Sequence, residues 1–410
     1  MPTGGQRQRS LFLLASGLST AGSFAGLTAK GWILMDVTGN PLILAIHFAT
    51  LALPSLLISG PAGVATDRLG SEGVLIRAQW GLFGGGVLGA LAIPLLSGTA
   101  QVAVLLLSTL VVGVASSFEL TARNKYTALL VDRPEGLASY LAAFSVVFNV
   151  GKLVGPPLGG WLVALTGPAA ALAIDAATYL VPIATVMLLL RPDRGREERS
   201  EATGTSSTSL RAAWRGCGSR LRHVLRFTAL SCLVGFFHPG LAPLIADRVL
   251  GPSPQDLGVF TSVLAAGSIC GGLVLQRFSG WISQRPGLLL GGCTMLTALA
   301  QLGMADLPSP ARALTMAFLI GMGTASLLAG VNLIAQVGSP MVLRGRMAGL
   351  AQIGFLGGGG ASGLLAAFLT GRIGLGATFG LLGAAGLCLG AAELLRKGGM
   401  RLPVRSTGFP

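Results

Sequence analysis

The hydrophobic residues of this chain fall into long uninterrupted runs that recur from its beginning to its end. A helix needs about 20 apolar residues to cross the roughly 30 Å hydrocarbon layer of a bilayer. Because the runs do not alternate polar with apolar residues, they predict helices and not barrel strands. The twelve predicted spans are 11–35, 41–64, 74–97, 102–124, 137–165, 168–190, 227–246, 257–282, 288–306, 313–337, 347–370 and 375–395.

The composition indicates the same class. Of 410 residues, 52% are hydrophobic and only 11% are charged, whereas about a quarter of a soluble domain is charged. The run at 11–35 is one of many, so we expect a retained helix and not a cleaved signal. The predicted fold class is therefore an all-α integral membrane protein with twelve transmembrane helices in two six-helix bundles.

The net charge of +14 is better explained by topology than by nucleic-acid binding, since no face combines basic with aromatic residues. Lys and Arg concentrate in the loops of one side, which predicts that this side is cytoplasmic. The opposite loops contain only Arg248, Arg312 and Arg372. We expect a multi-pass protein of the bacterial inner (plasma) membrane with both termini in the cytoplasm and no nucleic-acid partner.

The segment 191–226 is charged and rich in Ser and Thr, and it divides the runs into two sets of six. Such a composition is typical of a flexible linker. The predicted domains are an N-terminal six-helix bundle at 1–190, a cytoplasmic linker at 191–226, and a C-terminal six-helix bundle with a basic tail at 227–410. Parallel repeats with a midplane site at their interface are a known transporter plan.

No catalytic or metal-binding pattern is evident. Five cysteines are widely spaced, without a CxxC pair, so neither a zinc site nor a disulfide framework is predicted. The GxxxxGK[ST], HExxH and GxSxG patterns are also missing. We therefore expect a protein that is not an enzyme, contains no metal, and is driven by an ion or substrate gradient.

A short turn after the second run contains a GxxxDRxG pattern, formed by Gly63, Asp67, Arg68 and Gly70. This pattern resembles the loop signature of the major facilitator superfamily of transporters. The resemblance implies that the acidic residue lies near the N-terminus of the eleventh span, where the helix dipole favours an anion and helps to close the cytoplasmic side. That N-terminus lies at Arg344 and Arg346. The basic residues that usually follow are absent here, and an ordinary charged turn is the alternative.

The fifth run contains a GxxxGPxxGG pattern, formed by Gly151, Gly155, Pro156, Gly159 and Gly160. Glycines at this spacing let a second helix approach closely, and proline bends a helix. The pattern is similar to one in the antiporter branches of the superfamily, where the bend is associated with a leak-tight outward face. The resemblance favours export over import. The alternative is a kink without directional meaning.

Three further segments narrow the resemblance to one branch. They are similar to segments of the branch that contains enterobactin exporters and macrolide efflux permeases. The resemblance covers nearly the whole chain outside the linker, and it implies a proton gradient as the driving force without a bound cofactor. The segments are Arg123-Asn124 with 131–136, Gln336 with 343–346, and Asp175-Ala176.

Ionisable side chains inside apolar runs are costly and are therefore candidates for function. Glu119 and Asp175 are the candidate proton-coupling carboxylates, with Arg123 one turn from Glu119. A static Glu119–Arg123 pair and helix N-terminal stabilisation by Asp175 are the alternatives. Lys30 could instead snorkel to the outer interface, and Lys152 could belong to a buried structural pair.

Polar residues near the middle of the runs predict a partly wet substrate cavity. Interhelical hydrogen bonds would explain any one of them equally well. His238 precedes Pro239, which also predicts a hinge in the seventh span. The candidate cavity residues are Ser23, Asn149, Lys152, His238, Asn332 and Gln336.

Together these features predict a monomeric secondary transporter that exports amphipathic small molecules, such as drugs or a siderophore, by alternating access. Its expected partners are a small-molecule substrate and the lipid bilayer. An importer or facilitator of the same fold is the nearest alternative. A non-transporting membrane sensor or a membrane enzyme is the second.

Overall fold

The fold is given by a computed structural model that describes residues 4–130, 134–189, 218–278, 285–307, 309–337 and 344–396. Every regular element in these ranges is helical. The elements are α1 (Gly4–Thr38), α2 (Pro41–Leu69), α3 (Ser71–Leu95), α4 (Gly98–Leu129), α5 (Pro134–Thr166), α6 (Pro168–Thr178), α7 (Leu180–Ala184), a π-helix (Thr185–Leu189), α8 (Ser219–Gly235), α9 (His238–Val249), α10 (Pro254–Arg277), α11 (Pro286–Leu302), α12 (Pro310–Val337), α13 (Arg344–Ile373) and α14 (Leu375–Leu395).

Several connections between helices are only one or two residues long, and their sequence explains why. Asn40 caps α2, since its side-chain oxygen accepts the N–H of Leu42 at 2.9 Å, and Pro41 occupies the first helical position,. Gly70 (φ 78°) and Gly167 (φ 84°) each form a one-residue turn in the left-handed region, where a side chain would be strained.

Two predicted spans contain breaks. The sixth consists of α6, α7 and the π-helix, while the seventh consists of α8 and α9 and begins at Ser219, inside the predicted linker. The seventh breaks because Pro239 has no N–H to offer the Gly235 carbonyl. The side chain of Gln301 replaces that donor at 3.2 Å.

The chain divides into two compact units, of which unit 1 comprises Met1–Ser206 and Ala242–Ser262. Within it α1 packs along α5, α3 packs along α4 and α6, and α2 packs along α4. The Phe12 ring contacts those of Tyr126 (5.2 Å between centroids) and Phe144 (6.1 Å). This aromatic cluster joins α1, α4 and α5.

Unit 2 comprises Ser207–Leu241 and Val263–Pro410. Here α11 packs along α14 and α12, and α8 packs along α13. Its buried core includes Val224, Leu290 and Ile334. The helix α13 continues through Gly357–Gly360, and Gly358 packs closely against Ala229 of α8.

Eight helical segments of the described residues are long and apolar enough to cross a membrane. Two more apolar helices, Pro41–Leu51 and Pro286–Leu302, are shorter. The all-helical fold class is thus confirmed, and the twelve-span count stays a prediction, as do the predicted domain boundaries.

Candidate functional site

The glycines of the GxxxGPxxGG pattern lie on the face of α5 that packs against α1. An added Cβ at Gly151 would lie 3.0 Å from the Gly17 carbonyl oxygen, and one at Gly155 would lie 2.6 Å from that of Ala21. At Gly159 it would collide with the Ala25 carbonyl. The three glycines therefore permit a contact between α1 and α5 that no larger residue allows.

The next residue of the pattern, Gly160, lies against another part of unit 1. An added Cβ there would lie 2.5 Å from the backbone nitrogen of Gly258 in α10. The Trp161 indole covers the same glycine, with Nε1 3.2 Å from a Cβ placed at Gly258. The helix α5 continues through Pro156 without interruption.

The buried faces of α1, α3, α4 and α6 carry a group of charged and polar side chains. Lys30 of α1 is 3% exposed, which rejects the snorkelling alternative. Its Nζ donates to Ser108 Oγ at 2.7 Å, and Ser108 Oγ donates to the Gly85 carbonyl at 2.6 Å. Gly89 makes room for this chain, because a Cβ there would lie 2.8 Å from Ser108 Oγ.

Asp175 lies across from Lys30 on α6 and is 3% exposed. It is the eighth residue of its helix, so it does not stabilise the helix N-terminus. Gly26 of α1 makes room for its carboxylate, since any Cβ at that position would collide with it. The Tyr179 hydroxyl lies beside the carboxylate and beside Ser23.

The partners of Asp175 are incomplete. Within the described ranges, no group donates a hydrogen bond to its Oδ1. Lys30 lies near enough to interact with it electrostatically, yet neither residue forms an ion pair within 4.0 Å anywhere in the part of the chain that the structure describes. Lys30 and Asp175 are therefore close without forming a hydrogen bond or an ion pair with each other within the described residues.

Glu119 and Arg123 of α4 have a very different arrangement. Arg123 Nη1 lies 2.9 Å from Glu119 Oε1, and both side chains are buried. Gln79 Nε2 donates to the same carboxylate oxygen at 3.3 Å, and Arg123 also contacts Thr20 Oγ1 at 3.5 Å. The Phe144 ring centroid lies 5.4 Å from the guanidinium carbon. These contacts join α4 to α1, α3 and α5.

His47 of α2 completes the polar group of unit 1. The ring is buried, with Nε2 3.0 Å from the Leu27 carbonyl and Nδ1 3.0 Å from Thr109 Oγ1. A carbonyl only accepts, so Nε2 carries a proton and donates it. In the neutral ring Nδ1 is then an acceptor, and the single Thr109 hydroxyl proton is shared between Nδ1 and the Leu105 carbonyl, each 3.0 Å from Thr109 Oγ1,.

The predicted cavity residues of unit 1 differ in exposure. Ser23 is half-buried and donates to the Ser19 carbonyl of its own helix at 2.9 Å. The Nζ of Lys152 lies 5.8 Å from the Phe24 ring centroid, while Asn149 is exposed on α5. The structure thus brings Lys152 close to α1, but it places Asn149 outside the buried group.

The predicted residues of unit 2 lie on α9 and α12. His238 is buried at the start of α9, next to the Phe236 ring at 5.1 Å between centroids, and Asn332 is half-buried on α12. The side chains of Gln336, Arg344 and Arg346 lie outside the described residues. The shared substrate cavity therefore stays a prediction.

The residues of the loop pattern lie at the end of α2. Asp67 Oδ1 pairs with Lys125 Nζ of α4 at 3.2 Å, although the Asp67 side chain is 70% exposed. Arg68 is exposed as well, and Gly70 forms the turn into α3. Apart from the neighbouring turns of α2, no atom of the described residues lies within 4 Å of a Cβ placed at Gly63. The structure thus adds Lys125 as a partner that the sequence pattern does not indicate.

Sequence reasoning missed most of the neutral members of the polar group. Three of these members have partners far away in the chain, namely Ser108, Thr109 and Gln79. Tyr179, which lies beside Asp175, is also uncharged. His47 was detectable, since it is an ionisable residue inside an apolar run,.

Comparisons with known proteins agree with this architecture. The profile of the family described as transmembrane secretion effector matches residues 6–406. The multidrug efflux pump Tap of Mycolicibacterium fortuitum is 28% identical over 94% of this chain and 95% of its own length. Tap of Mycobacterium tuberculosis (strain ATCC 25618 / H37Rv) is 26% identical over 94% of this chain and 92% of its own.

Solved transporters share the fold at low identity. A mutant of the nucleoside transporter NupG superposes with a TM-score of 0.74 at 13% identity, covering 94% of this chain and 99% of its own. A bacterial homologue of the human lysosomal transporter Spinster gives 0.72 at 14% identity, covering 96% and 95%. With the profile match over nearly its whole length, this chain belongs to the transmembrane secretion effector family of major facilitator transporters and is a multi-pass membrane protein.

Proposed function

We propose that this transporter exports amphipathic, drug-like small molecules in exchange for protons, by alternating access. The observation that carries the proposal is the similarity to curated multidrug efflux pumps along 94% of the chain. A similarity that covers 94% of the chain includes the helices that carry the buried polar group. A siderophore remains a second substrate class for the same activity.

The packing of α5 supports the export direction. The helix α5 packs directly against the backbone of α1 at Gly151, Gly155 and Gly159. At Gly160 it packs against the backbone of Gly258. Close backbone contact excludes water and ions from between helices. An exporter that works against a gradient needs such a seal, because a leak would dissipate the driving force.

The buried charges support coupling to protons. A coupling site needs a carboxylate that is removed from water and can exchange its proton when the site opens. Among its described residues, unit 1 holds two buried carboxylates, Glu119 and Asp175. No metal-binding group of three or more His, Cys, Asp or Glu occurs among the described residues, and the proposed cycle uses the proton gradient without a bound cofactor.

The proposed topology has twelve crossings with both termini in the cytoplasm of a bacterial cell, in its inner membrane. The described helices support this count, because α6 with α7 and the π-helix form one crossing, as do α8 and α9. The basic residues of the short loops support the orientation,. The proposed working unit is a monomer in lipid, with a small-molecule substrate and no nucleic acid.

Inside-out membrane vesicles test the proposal. An acid-inside gradient is established in vesicles that contain the protein and in empty-vector vesicles, and a macrolide, a cationic dye and a catechol siderophore are added in turn. We expect at least one compound to release protons and to accumulate inside, only where the protein is present. Verified insertion without any response would contradict proton-coupled export, and uptake only into right-side-out vesicles would indicate an importer.

A further inference from the structure

We infer that Asp175 binds the coupling proton and that Lys30 is the counter-charge that exchanges partners with it. The inference rests on the proposed proton coupling, and it assigns no proton-carrying role to Glu119. It follows from a comparison of the ion-pair and hydrogen-bond partners of the two described buried carboxylates of unit 1, Glu119 and Asp175.

Glu119 already has the partners that an ionised carboxylate needs. Its Oε1 lies 2.9 Å from the Arg123 guanidinium and 3.3 Å from the Gln79 amide. Breaking a buried pair by neutralising one member leaves the other charge uncompensated, which costs about 3–5 kcal/mol. Glu119 and Arg123 therefore stay ionised together, and they anchor α4 to its neighbours.

Asp175 lacks a charged partner of this kind, and the neutral Tyr179 hydroxyl lies beside its carboxylate. Its carboxylate is as deeply buried, yet within the described ranges it forms no ion pair and its Oδ1 accepts no hydrogen bond. An ionised, unpaired carboxylate in this position would cost several kcal/mol, and protonation removes that cost. The observed geometry is the one expected of a protonated Asp175.

The groups that face Asp175 are few. Lys30 approaches from α1, and Tyr179, the residue between α6 and α7, approaches from one turn further along the chain. The helix α3 presents Gly86 to Ala176, with no titratable side chain at that contact. From α4, Glu119 interacts electrostatically with Tyr179. The Lys152 ammonium of α5 lies over the Phe24 ring.

In the structure, Lys30 has a hydrogen-bond partner other than Asp175. Its ammonium is satisfied by Ser108, whose own proton goes to the Gly85 carbonyl. Lys30 can therefore remain charged while Asp175 is neutral. Gly89 and Gly26 leave space around the two side chains, and the long lysine stem permits the movement between them.

The proton exchange then follows from charge. With Asp175 protonated, the pair has a net charge of +1 and Lys30 stays on Ser108. When the carboxyl O–H bond breaks, the proton leaves to cytoplasmic water, and the carboxylate that remains draws Lys30 away from Ser108 into an ion pair of zero net charge. Ser108 and Asp175 thus compete for one ammonium group.

Infrared spectroscopy tests this assignment without any substrate. The protein in lipid nanodiscs is titrated from neutral to alkaline pH, and the C=O stretch of protonated carboxylic acids is recorded. We expect a band at neutral pH in the wild type and in Glu119→Gln, no such band in Asp175→Asn, and a shifted band in Asp175→Glu. A wild type without the band, or a band lost in Glu119→Gln but kept in Asp175→Asn, would overturn the inference.

Two further variants are expected to change the pH at which the band disappears. A purely structural role of Lys30 and Ser108 would leave that pH unchanged. In Lys30→Gln the ionised carboxylate loses its counter-charge, so the band should persist to higher pH than in the wild type. In Ser108→Ala the ammonium is released toward Asp175, so the band should disappear at lower pH. Unchanged titration in both would refute the exchange of partners. Export in vesicles is measured separately. A protein that shows the band but no export would contradict the proposed function and not the protonation of Asp175.

Discussion

The Nζ of Lys30 on α1 lies 2.7 Å from the Oγ of Ser108 on α4, although 78 residues separate them in the chain. The contact keeps a buried ammonium satisfied within unit 1 and holds α1 against α4. It also leaves the neighbouring Asp175 without an ion-pair partner within 4.0 Å among the described residues.

Removing this hydroxyl should destabilise the protein. Loss of one partner of a buried charged group costs about 1–3 kcal/mol, so we expect Ser108→Ala to lower the free energy of unfolding by that amount in denaturant titrations of the purified protein. Ser262→Ala is the control, because Ser262 bonds the Gly258 carbonyl of its own helix. Equal effects of the two substitutions would contradict a specific Lys30–Ser108 contact.

The α1–α5 contact gives a second prediction. A Cβ at position 155 would lie 2.5 Å from Phe24 Cβ, and overpacking typically costs about 1–3 kcal/mol. We therefore expect Gly155→Ala to lower the thermal midpoint and to increase proton leak in vesicles. Gly84→Ala should do neither, since outside the neighbouring turns of α3 no atom of the described residues lies within 4 Å of a Cβ there, and alanine favours the helix. A stable, leak-tight Gly155→Ala protein would show that this contact does not seal the bundle.

A double-mutant cycle tests whether Glu119 and Arg123 form one structural unit. Each single alanine substitution leaves a buried charge, so each should cost about 3–5 kcal/mol, and the double substitution should cost less than the sum. The exposed pair of Asp306 and Arg312, at 2.8 Å, is the control and should contribute less than about 1 kcal/mol. Additive losses at Glu119 and Arg123 would indicate that the two charges act independently.

The fold was largely predictable from the hydrophobic pattern, but the ends and breaks of the helices were not. The seventh span begins at Ser219 because helix formation continues into a basic segment that hydropathy excludes from the apolar run. At its break, the Gln301 side chain of another helix donates to the Gly235 carbonyl, which Pro239 leaves without a backbone donor,. A span defined by local hydropathy cannot include a contact made by a residue 66 positions away.

The candidate site was predictable in its charged members only. Burial of a charge is costly wherever it occurs, so Lys30, Glu119 and Asp175 stand out in a sequence. Their separate roles depend on neutral partners such as Ser108 and Gln79, which three-dimensional packing brings to them. The sequence therefore left both carboxylates as candidates, whereas their hydrogen bonds distinguish a paired carboxylate from an unpaired one.

The loop pattern gives a prediction about transport and not about stability. Asp67 and Lys125 form an exposed ion pair at 3.2 Å, which is worth about 0–1 kcal/mol. We expect Asp67→Asn and Lys125→Gln to slow transport to a similar extent while the thermal midpoint stays within a few degrees. If Asp67→Asn slows transport and Lys125→Gln does not, then Asp67 acts through a partner other than Lys125.

Cysteine labelling tests the proposed topology. In a variant without the native cysteines, Ala311→Cys should react with a membrane-impermeant maleimide added to intact cells, because Ala311 is exposed in the first turn of α12, on the side opposite the basic loops. Leu69→Cys, which is exposed next to Asp67, should react only after the membrane is permeabilised. The reverse pattern would place both termini outside the cytoplasm.

Uphill transport by the purified protein is the most direct test of proton-coupled export. Proteoliposomes with an acid interior are given a macrolide, a cationic dye or a catechol siderophore at equal concentrations inside and outside, and the internal concentration is followed over time. Proton-coupled export predicts that at least one compound rises above its external concentration and that a protonophore abolishes the rise. Compounds that stay at equal concentrations, or a rise that persists with the protonophore, would contradict it.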